Sequence, residues 1–93
     1  MDKHFVSSQF LPALEKRANL IKKLHAEETT CYRLFHGTNE GSPGLTIDRY
    51  GGCLLVQTWR EPIESDRLQA LRATVQEHLD LDLVPVWNHR AKR

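Results

Sequence analysis

Basic side chains are the residues of this chain best suited to intermolecular chemistry. A group of lysines and arginines lies between positions 16 and 23, and single arginines recur in later strand-like runs and near the C-terminus. Such cations bind phosphate oxygens through charge-assisted hydrogen bonds. The positions that we predict to contact RNA or a neighbouring domain, one of them aromatic, are Lys16, Arg17, Lys22, Lys23, Arg33, Arg49, Tyr50, Arg60 and Arg90.

The overall charge of the chain does not by itself favour nucleic acid. Thirteen Lys and Arg are balanced by twelve Asp and Glu, which leaves a formal net charge of +1. Any contact with RNA must therefore come from a local patch. For the group at positions 16–23, the alternative is an ordinary solvated helix face.

Four aromatic residues fall in predicted strands or at their ends. An exposed ring beside an arginine can stack on an unpaired base. A domain of 93 residues also needs large side chains for its core, and aromatic residues commonly supply them. We therefore favour packing within the core or between domains for Tyr32, Tyr50, Trp59 and Trp87.

The acidic residues near the turns are predicted to be structural, so no catalytic residue is assigned. Glu40 lies among turn residues, where a carboxylate commonly accepts backbone N–H groups. Asp48 is predicted to form a salt bridge or a turn hydrogen bond. Because neighbouring strand residues point to opposite faces, Asp48 and Arg49 cannot act together at one site.

The two cysteines raise the question of a disulfide or a metal site. Cys31 and Cys53 fall in two strand-like runs that could be neighbours, and His36 follows Cys31 at a lone C-x-x-x-x-H spacing. That spacing is far weaker than paired C-x-x-C elements. Two cysteines in a reducing cytoplasm are more often buried free thiols, so we predict free thiols and no metal site.

The order of the predicted elements indicates one small α+β domain spanning residues 1–93. Helical spacing of apolar residues predicts a helix over 9–25 with Pro12 in its first turn. Strands are predicted at 31–35, 45–50 and 53–59, followed by a helix after Pro62 with Ser65 as N-cap. A final strand at 83–87 contains Pro85, which favours a sheet edge. The prediction is a two-layer fold: helix, three-stranded antiparallel meander, helix and final strand.

Turn chemistry explains most of the glycines. In Ser42-Pro43-Gly44, proline presets the φ of the second turn residue and glycine can take the positive φ of a type II turn. Gly51-Gly52 suits a two-residue type I′ hairpin turn. Between these turns Leu45 and Ile47 are expected to face one side of the sheet, and Thr46, Asp48 and Tyr50 the other.

The segment from 33 to 57 resembles a family of bacterial class I S-adenosylmethionine-dependent methyltransferases, whose best-known members methylate cytosine C5 in 23S ribosomal RNA. The resemblance covers most of the chain, since it extends weakly towards residue 13 on one side and residue 90 on the other. The positions that carry it are Arg33, Leu34, Gly37, Glu40, Gly41, Pro43, Gly44, Leu45, Ile47, Asp48, Arg49, Tyr50, Gly51, Leu54, Val56 and Gln57.

The resemblance implies the middle, pre-catalytic module of such an enzyme. In that family a Rossmann-like domain with the methyl-donor site and the catalytic cysteine follows this module, and it is absent from this chain. The implied role is a non-catalytic accessory domain that orients substrate, with no cofactor in this chain and S-adenosylmethionine in the parent enzyme. The implied partners are ribosomal RNA and the missing catalytic domain, and we expect a fragment or N-terminal module of a larger protein.

The alternative is a freestanding module that binds RNA or a protein without catalysis. Departures from the family pattern at Ser42, Asn88 and His89 indicate a divergent subgroup and leave the substrate open. Apolar runs stay far below the ~18 residues that span a membrane, and the first ten residues have no apolar core typical of a signal peptide. A cytoplasmic location without membrane contact is therefore expected.

Overall fold

The N-terminal layer is helical, but it is not the single helix over 9–25 that the sequence predicts. The computed structural model describes residues 4–40 and 44–90, with the side chains of residues 38 and 39 excepted. A π-helical turn, Val6–Phe10, leads into α1, Leu11–Lys16, and then α2, Ala18–Ala26. Arg17 interrupts the run with φ −95° and ψ 0°, outside the α-helical region. Pro12 lies in the first turn of α1, as predicted.

The π turn has a packing role at the start of the chain. Hydrogen bonding from residue i to i+5 brings residues five apart onto one face of the helix. Phe5 and Phe10 are five apart, and their rings lie 6.5 Å from each other at an interplanar angle of 22°. Both are fully buried. An ordinary α-helical turn would point one of these rings away from the core.

The sheet contains, within the described residues, four strands in the order β1-β2-β3-β4. The strands are β1, Cys31–His36; β2, Leu45–Tyr50; β3, Cys53–Thr58; and β4, Val84–His89. The first three pair antiparallel, which confirms the predicted meander. β4 pairs with β3 in parallel, so the whole sheet is mixed. Pro85 lies on this edge strand, as its missing N–H requires.

Two further helices connect the strands. The short helix α3, Gly37–Glu40, follows β1 and was not predicted. The long helix α4, Ser65–Leu79, carries the chain from β3 to β4 and buries Leu71 and Val75. The predicted N-cap at Ser65 is wrong, because the N-cap residue is Glu64 and no side chain caps the helix. Glu64 has extended backbone dihedrals and Ser65 is already helical, so the helix begins one residue earlier than predicted.

The turns follow the prediction in position and only partly in type. Gly51 has φ +56°, whereas Gly52 has no positive φ of this kind. Positive φ at the first central residue alone is the pattern of a type II′ turn, so the predicted type I′ geometry is wrong. Gly44 has φ +86°, as a turn glycine should, but residues 42 and 43 lie outside the described part of the chain.

The core lies between the helices and one face of the sheet, here called the inner face. Phe35, Ile47, Leu54 and Val56 are fully buried there. A register shift between Arg33 and Phe35 places a bulge at β1, and both residues 34 and 35 are buried as a result. The domain is therefore two-layered, with the inner face as the floor of the core.

The opposite, outer face is less uniform than simple alternation predicts. Tyr50 is 56% exposed, but Thr46 and Asp48 are only 8% and 7% exposed. Both lie on β2, which has a neighbouring strand on each side, so adjacent side chains screen them from water. The predicted orientation of these side chains is confirmed, and within it only Tyr50 of the three outer residues is exposed.

Two buried threonines give a matched stability prediction. The hydroxyl of Thr46 has no hydrogen-bond partner among the described residues, whereas that of Thr58 contacts both Trp87 and His89. We expect Thr46→Val to raise the free energy of unfolding by about 1 kcal/mol, because it removes an unsatisfied polar group. Thr58→Val should lower it by about 1–2 kcal/mol. Urea denaturation measures both, and the same sign for the two variants would contradict this assignment.

Candidate functional site

The predicted site residues are distributed over both ends of the sheet. Strand register places His36, Leu45, Thr58 and His89 at one end, here called the upper end. Cys31, Tyr50, Cys53 and Val84 mark the lower end. The nine basic and aromatic positions predicted from sequence therefore do not form a single cluster.

Arg17 is held by Glu40 rather than presented to a ligand. Its guanidinium Nη1 donates to Glu40 Oε2 at 2.9 Å, and Nη2 donates to Oε1. Glu40 Oε1 also accepts the backbone N–H of His36 at 3.0 Å, which confirms the predicted backbone contact. The Arg17 hydrogen bond, with help from this N–H group, holds the pKa of Glu40 below its ordinary value against the opposing effect of burial. The pair joins the helical layer to the end of β1.

Asp48 forms the predicted salt bridge, and its partner is Arg33. Arg33 Nε donates to Asp48 Oδ1 at 2.8 Å, and Nη2 donates to Oδ2 at 3.2 Å. The hydrogen bond to Asp48 raises the pKa of Arg33 above its ordinary value. The guanidinium remains 45% exposed on the outer face. Arg33 therefore retains a surface that a ligand can reach, although its geometry is set by Asp48.

The side chain of Arg49 is engaged in contacts within the domain, at the lower end of the sheet. Its Nε donates to the carbonyl oxygen of Gly51 at 2.9 Å, and its Nη1 lies 3.2 Å from both His25 Nε2 and the Tyr32 hydroxyl. The guanidinium also lies 5.6 Å from the centroid of the Tyr32 ring, within cation–π range. These contacts join the end of α2 to β1 and the hairpin turn. Tyr32 is thus a packing residue, as predicted.

The remaining predicted positions are exposed and lie in three places. Lys16, Lys22 and Lys23 project from the helical layer. Tyr50 is exposed at the lower end of the sheet. Arg60 and Arg90 are exposed at the upper end, where β3 and β4 finish. The upper end therefore brings together two of the predicted cations.

Trp87 and His89 also lie at the upper end and were not among the predicted contacts. Trp87 Nε1 donates to Thr58 Oγ1 at 2.9 Å, and His89 Nδ1 lies 2.7 Å from the same oxygen. Trp87 is 40% exposed, so it does not pack in the core of this domain, and packing between domains stays a prediction. Residues 87 and 89 are two apart on an edge strand, and this spacing indicates that their side chains lie on the same face of the sheet.

The cysteines are free thiols, but they are neither neighbours nor buried. Cys31 and Cys53 both pair with Tyr50, so β2 separates them by two strand spacings, about 10 Å. That distance exceeds the reach of a disulfide. Over residues 4–40 and 44–90, no three His, Cys, Asp or Glu residues are grouped as a metal site would require. None of the helices in these ranges is long and apolar enough to cross a membrane.

Two curated proteins resemble the chain in sequence. It is 32% identical over 90 residues to "Putative ribosomal RNA large subunit methyltransferase YwbD" of Bacillus subtilis, covering 97% of this chain and 22% of that protein. It is 42% identical over 48 residues to "Ribosomal RNA large subunit methyltransferase" of Deinococcus radiodurans, covering 50% of this chain and 12% of that protein. The chain thus spans less than a quarter of the length of these relatives. No protein-family model matches it.

A solved structure shares the fold. The protein described as "SMU.776, a putative methyltransferase complexed with SAH" superposes with a TM-score of 0.61 at 24% identity, over 87% of this chain and 21% of that one. The helical layer and mixed sheet described above are therefore found within a larger protein. In sequence, and over a small part of their length, the chain is similar to ribosomal RNA large subunit methyltransferases.

Proposed function

We propose that this chain is a non-catalytic module that orients ribosomal RNA for an S-adenosylmethionine-dependent methyltransferase acting in the cytoplasm. The observation that carries the proposal is the match of nearly the whole chain to a short segment of a protein named as a ribosomal RNA methyltransferase. Cytosine C5 is the proposed target, and the segment before the catalytic domain is the proposed position of the module.

The residues behind the family resemblance support an architectural role for that segment. Arg33 and Asp48 pair across β1 and β2, and Glu40 holds Arg17 of the helical layer. Gly51 supplies positive φ in the hairpin turn. Each of these residues is engaged in building the domain, so the resemblance reports a shared fold rather than a set of reacting groups.

The loops that the structure describes differ from the donor-binding loops of Rossmann-like folds. Donor-binding Rossmann-like folds place a glycine-rich loop between a parallel strand and the following helix. Here Gly44 and Gly51 lie in turns beside antiparallel strands. The connection from β3 to α4, residues 59–64, contains no glycine. We therefore assign the donor to another part of the enzyme and no reaction step to this chain.

Salt dependence of RNA binding tests the proposed orienting role. Among the predicted contacts, the basic residues that are exposed are Lys16, Lys22, Lys23, Arg33, Arg60 and Arg90. If about three of them contact single-stranded phosphates, log K should fall with log[salt] at a slope of about −2. A rise from about 50 to 200 mM salt should then weaken binding about 15-fold. Fluorescence anisotropy with a labelled fragment of 23S ribosomal RNA measures this slope.

Two results would contradict the proposal. Absence of RNA binding at low salt would remove the orienting role. Stoichiometric heat on titrating the chain with S-adenosylmethionine would contradict our assignment of the donor to another domain.

An exposed apolar strip favours one alternative, a freestanding module that binds a protein. Tyr50, Val84 and Val86 lie on the outer face and are 56%, 58% and 42% exposed. Apolar side chains grouped on one face are typical of interaction surfaces. If the chain does not bind RNA at low salt, this protein-binding function becomes the better account.

A further inference from the structure

Two aromatic rings at the upper end of the sheet are fixed by one buried hydroxyl. Thr58 is 1% exposed, and its Oγ1 contacts both Trp87 Nε1, at 2.9 Å, and His89 Nδ1, at 2.7 Å. The indole N–H can only donate, so Thr58 Oγ1 accepts from Trp87, and its remaining donor and acceptor sites serve either tautomer of His89 at Nδ1. Both rings are thus held at a polar edge by the same hydroxyl.

Both residues keep solvent-exposed surface while their polar edges are held. Trp87 is 40% exposed on the edge strand β4, and His89 is exposed beside it. Their ring centroids lie 6.0 Å apart at an interplanar angle of 42°. The three phenylalanines are fully buried, whereas Trp87 and Tyr50 are 40% and 56% exposed. An ordered and exposed indole loses little conformational entropy when another ring stacks on it.

Positive charge accompanies these rings at the same end of the sheet. Arg90 follows β4 directly, and its backbone N–H donates to the Thr58 carbonyl oxygen at 2.6 Å. Arg60 lies two residues beyond the end of β3, with its side chain close to Gly44. Proteins that bind single strands combine stacking rings with cations that follow the backbone. The upper end of the sheet has both.

We propose that Trp87 and His89 form a stacking site for an unpaired base of single-stranded RNA, with Arg60 and Arg90 contacting the flanking phosphates. This site deepens the proposed function and rests on it, since it names the form of RNA that the module binds. Base stacking tolerates any sequence because every base has a π face. Double-stranded RNA keeps its bases stacked inside the helix and should not engage the site.

Tryptophan emission reports directly on this site. Trp59→Phe leaves Trp87 as the single tryptophan of the chain. A short single-stranded RNA should quench the emission of this variant in proportion to the bound fraction, which anisotropy of the labelled RNA measures independently. An RNA duplex of the same length should leave the emission unchanged.

Substitution at Trp87 then gives the energetic test in the full 93-residue chain. Loss of one stacked base contact corresponds to about 1–3 kcal/mol, so Trp87→Ala should weaken binding about 5- to 150-fold. Trp87→Phe keeps a ring and should retain most of the affinity. Leu20→Ala, which removes an exposed apolar side chain from α2, is the control and should change affinity less than about twofold. Circular dichroism of each variant confirms folding.

The possible results distinguish failure of the stacking site from failure of the proposed RNA-orienting role. RNA binding without quenching of Trp87, or with Trp87→Ala at wild-type affinity, overturns the stacking site and leaves the orienting role intact. Equal binding of duplex and single strand with no quenching also overturns it. No RNA binding by the wild-type chain overturns both proposals.

Discussion

Phe35→Ala should lower the free energy of unfolding by about 3–5 kcal/mol, the largest effect of any substitution considered for this chain. Phe35 is fully buried and lies 5.2 Å from Phe5 and 6.3 Å from Phe10, measured between ring centroids. It is the sheet residue on which the π turn packs. Its loss leaves a cavity between the layers and removes an edge-to-face ring contact. A domain of this size has a total stability of about 5–14 kcal/mol, so a large share would be lost.

Urea denaturation followed by circular dichroism measures this loss. Tyr50→Ala removes an aromatic ring of similar size from an exposed position and should change stability by less than about 0.5 kcal/mol. Phe35→Leu should be milder than Phe35→Ala, because it fills more of the site. If Phe35→Ala were within about 1 kcal/mol of the wild type, the π turn would not be packed as described.

Glu40→Gln should lower stability by about 1–3 kcal/mol, the second largest effect. Glu40 accepts two hydrogen bonds from Arg17 and one from the backbone of His36. The two side chains are only 12% and 21% exposed, so neutralising the carboxyl leaves a half-buried guanidinium without its counter-charge. The helical layer would lose its polar attachment to the loop after β1.

The same pair predicts how stability depends on pH. The pKa of Glu40 is lowered in the folded chain, chiefly by its hydrogen bonds with Arg17. The unfolded chain therefore takes up this proton at a higher pH than the folded chain does. The stabilisation is complete above the ordinary glutamate pKa of about 4.3 and is lost as the pH falls through the lowered pKa of the folded state.

Thermal or urea unfolding between pH 7 and pH 3 tests that dependence. Glu40→Gln should flatten the acid limb of the stability curve relative to the wild type. Glu15→Gln, on the exposed side of α1, is the matched control and should leave the limb unchanged. An unchanged limb in Glu40→Gln would show that the ion pair with Arg17 does not stabilise the fold.

The elements that the sequence predicts best are those with strong local signals. Alternation and glycine turns place β2 and β3 within a residue of their observed bounds. The apolar stripe of α4 is buried as its spacing predicts, with Leu71 and Val75 at its centre. In each case a local pattern and the tertiary packing favour the same structure.

The misses arise where a distant contact overrides a local pattern. In the sequence, Arg17 fits the pattern of an exposed helix face. In the structure it binds Glu40, twenty-three residues later, at the point where the helix is interrupted. The parallel pairing of β4 has the same cause, since its partner lies beyond a whole helix.

The candidate site was missed for a related reason. Trp87 lies in a short apolar run beside Pro85, and such a run is typical of both a buried strand and an exposed edge. The hydroxyl of Thr58, twenty-nine residues earlier, holds the indole N–H at this edge, and Trp87 stays 40% exposed. Only the register of β3 and β4 brings these residues together.

Binding without catalysis is the central claim, and one measurement tests it most directly. The chain is incubated at low salt with a 23S ribosomal RNA fragment and S-adenosylmethionine labelled in its methyl group, and the mixture is separated by gel filtration. We expect the RNA to elute in complex with the chain and to carry no label. Methyl label on the RNA, or RNA that elutes without the chain, would contradict the account.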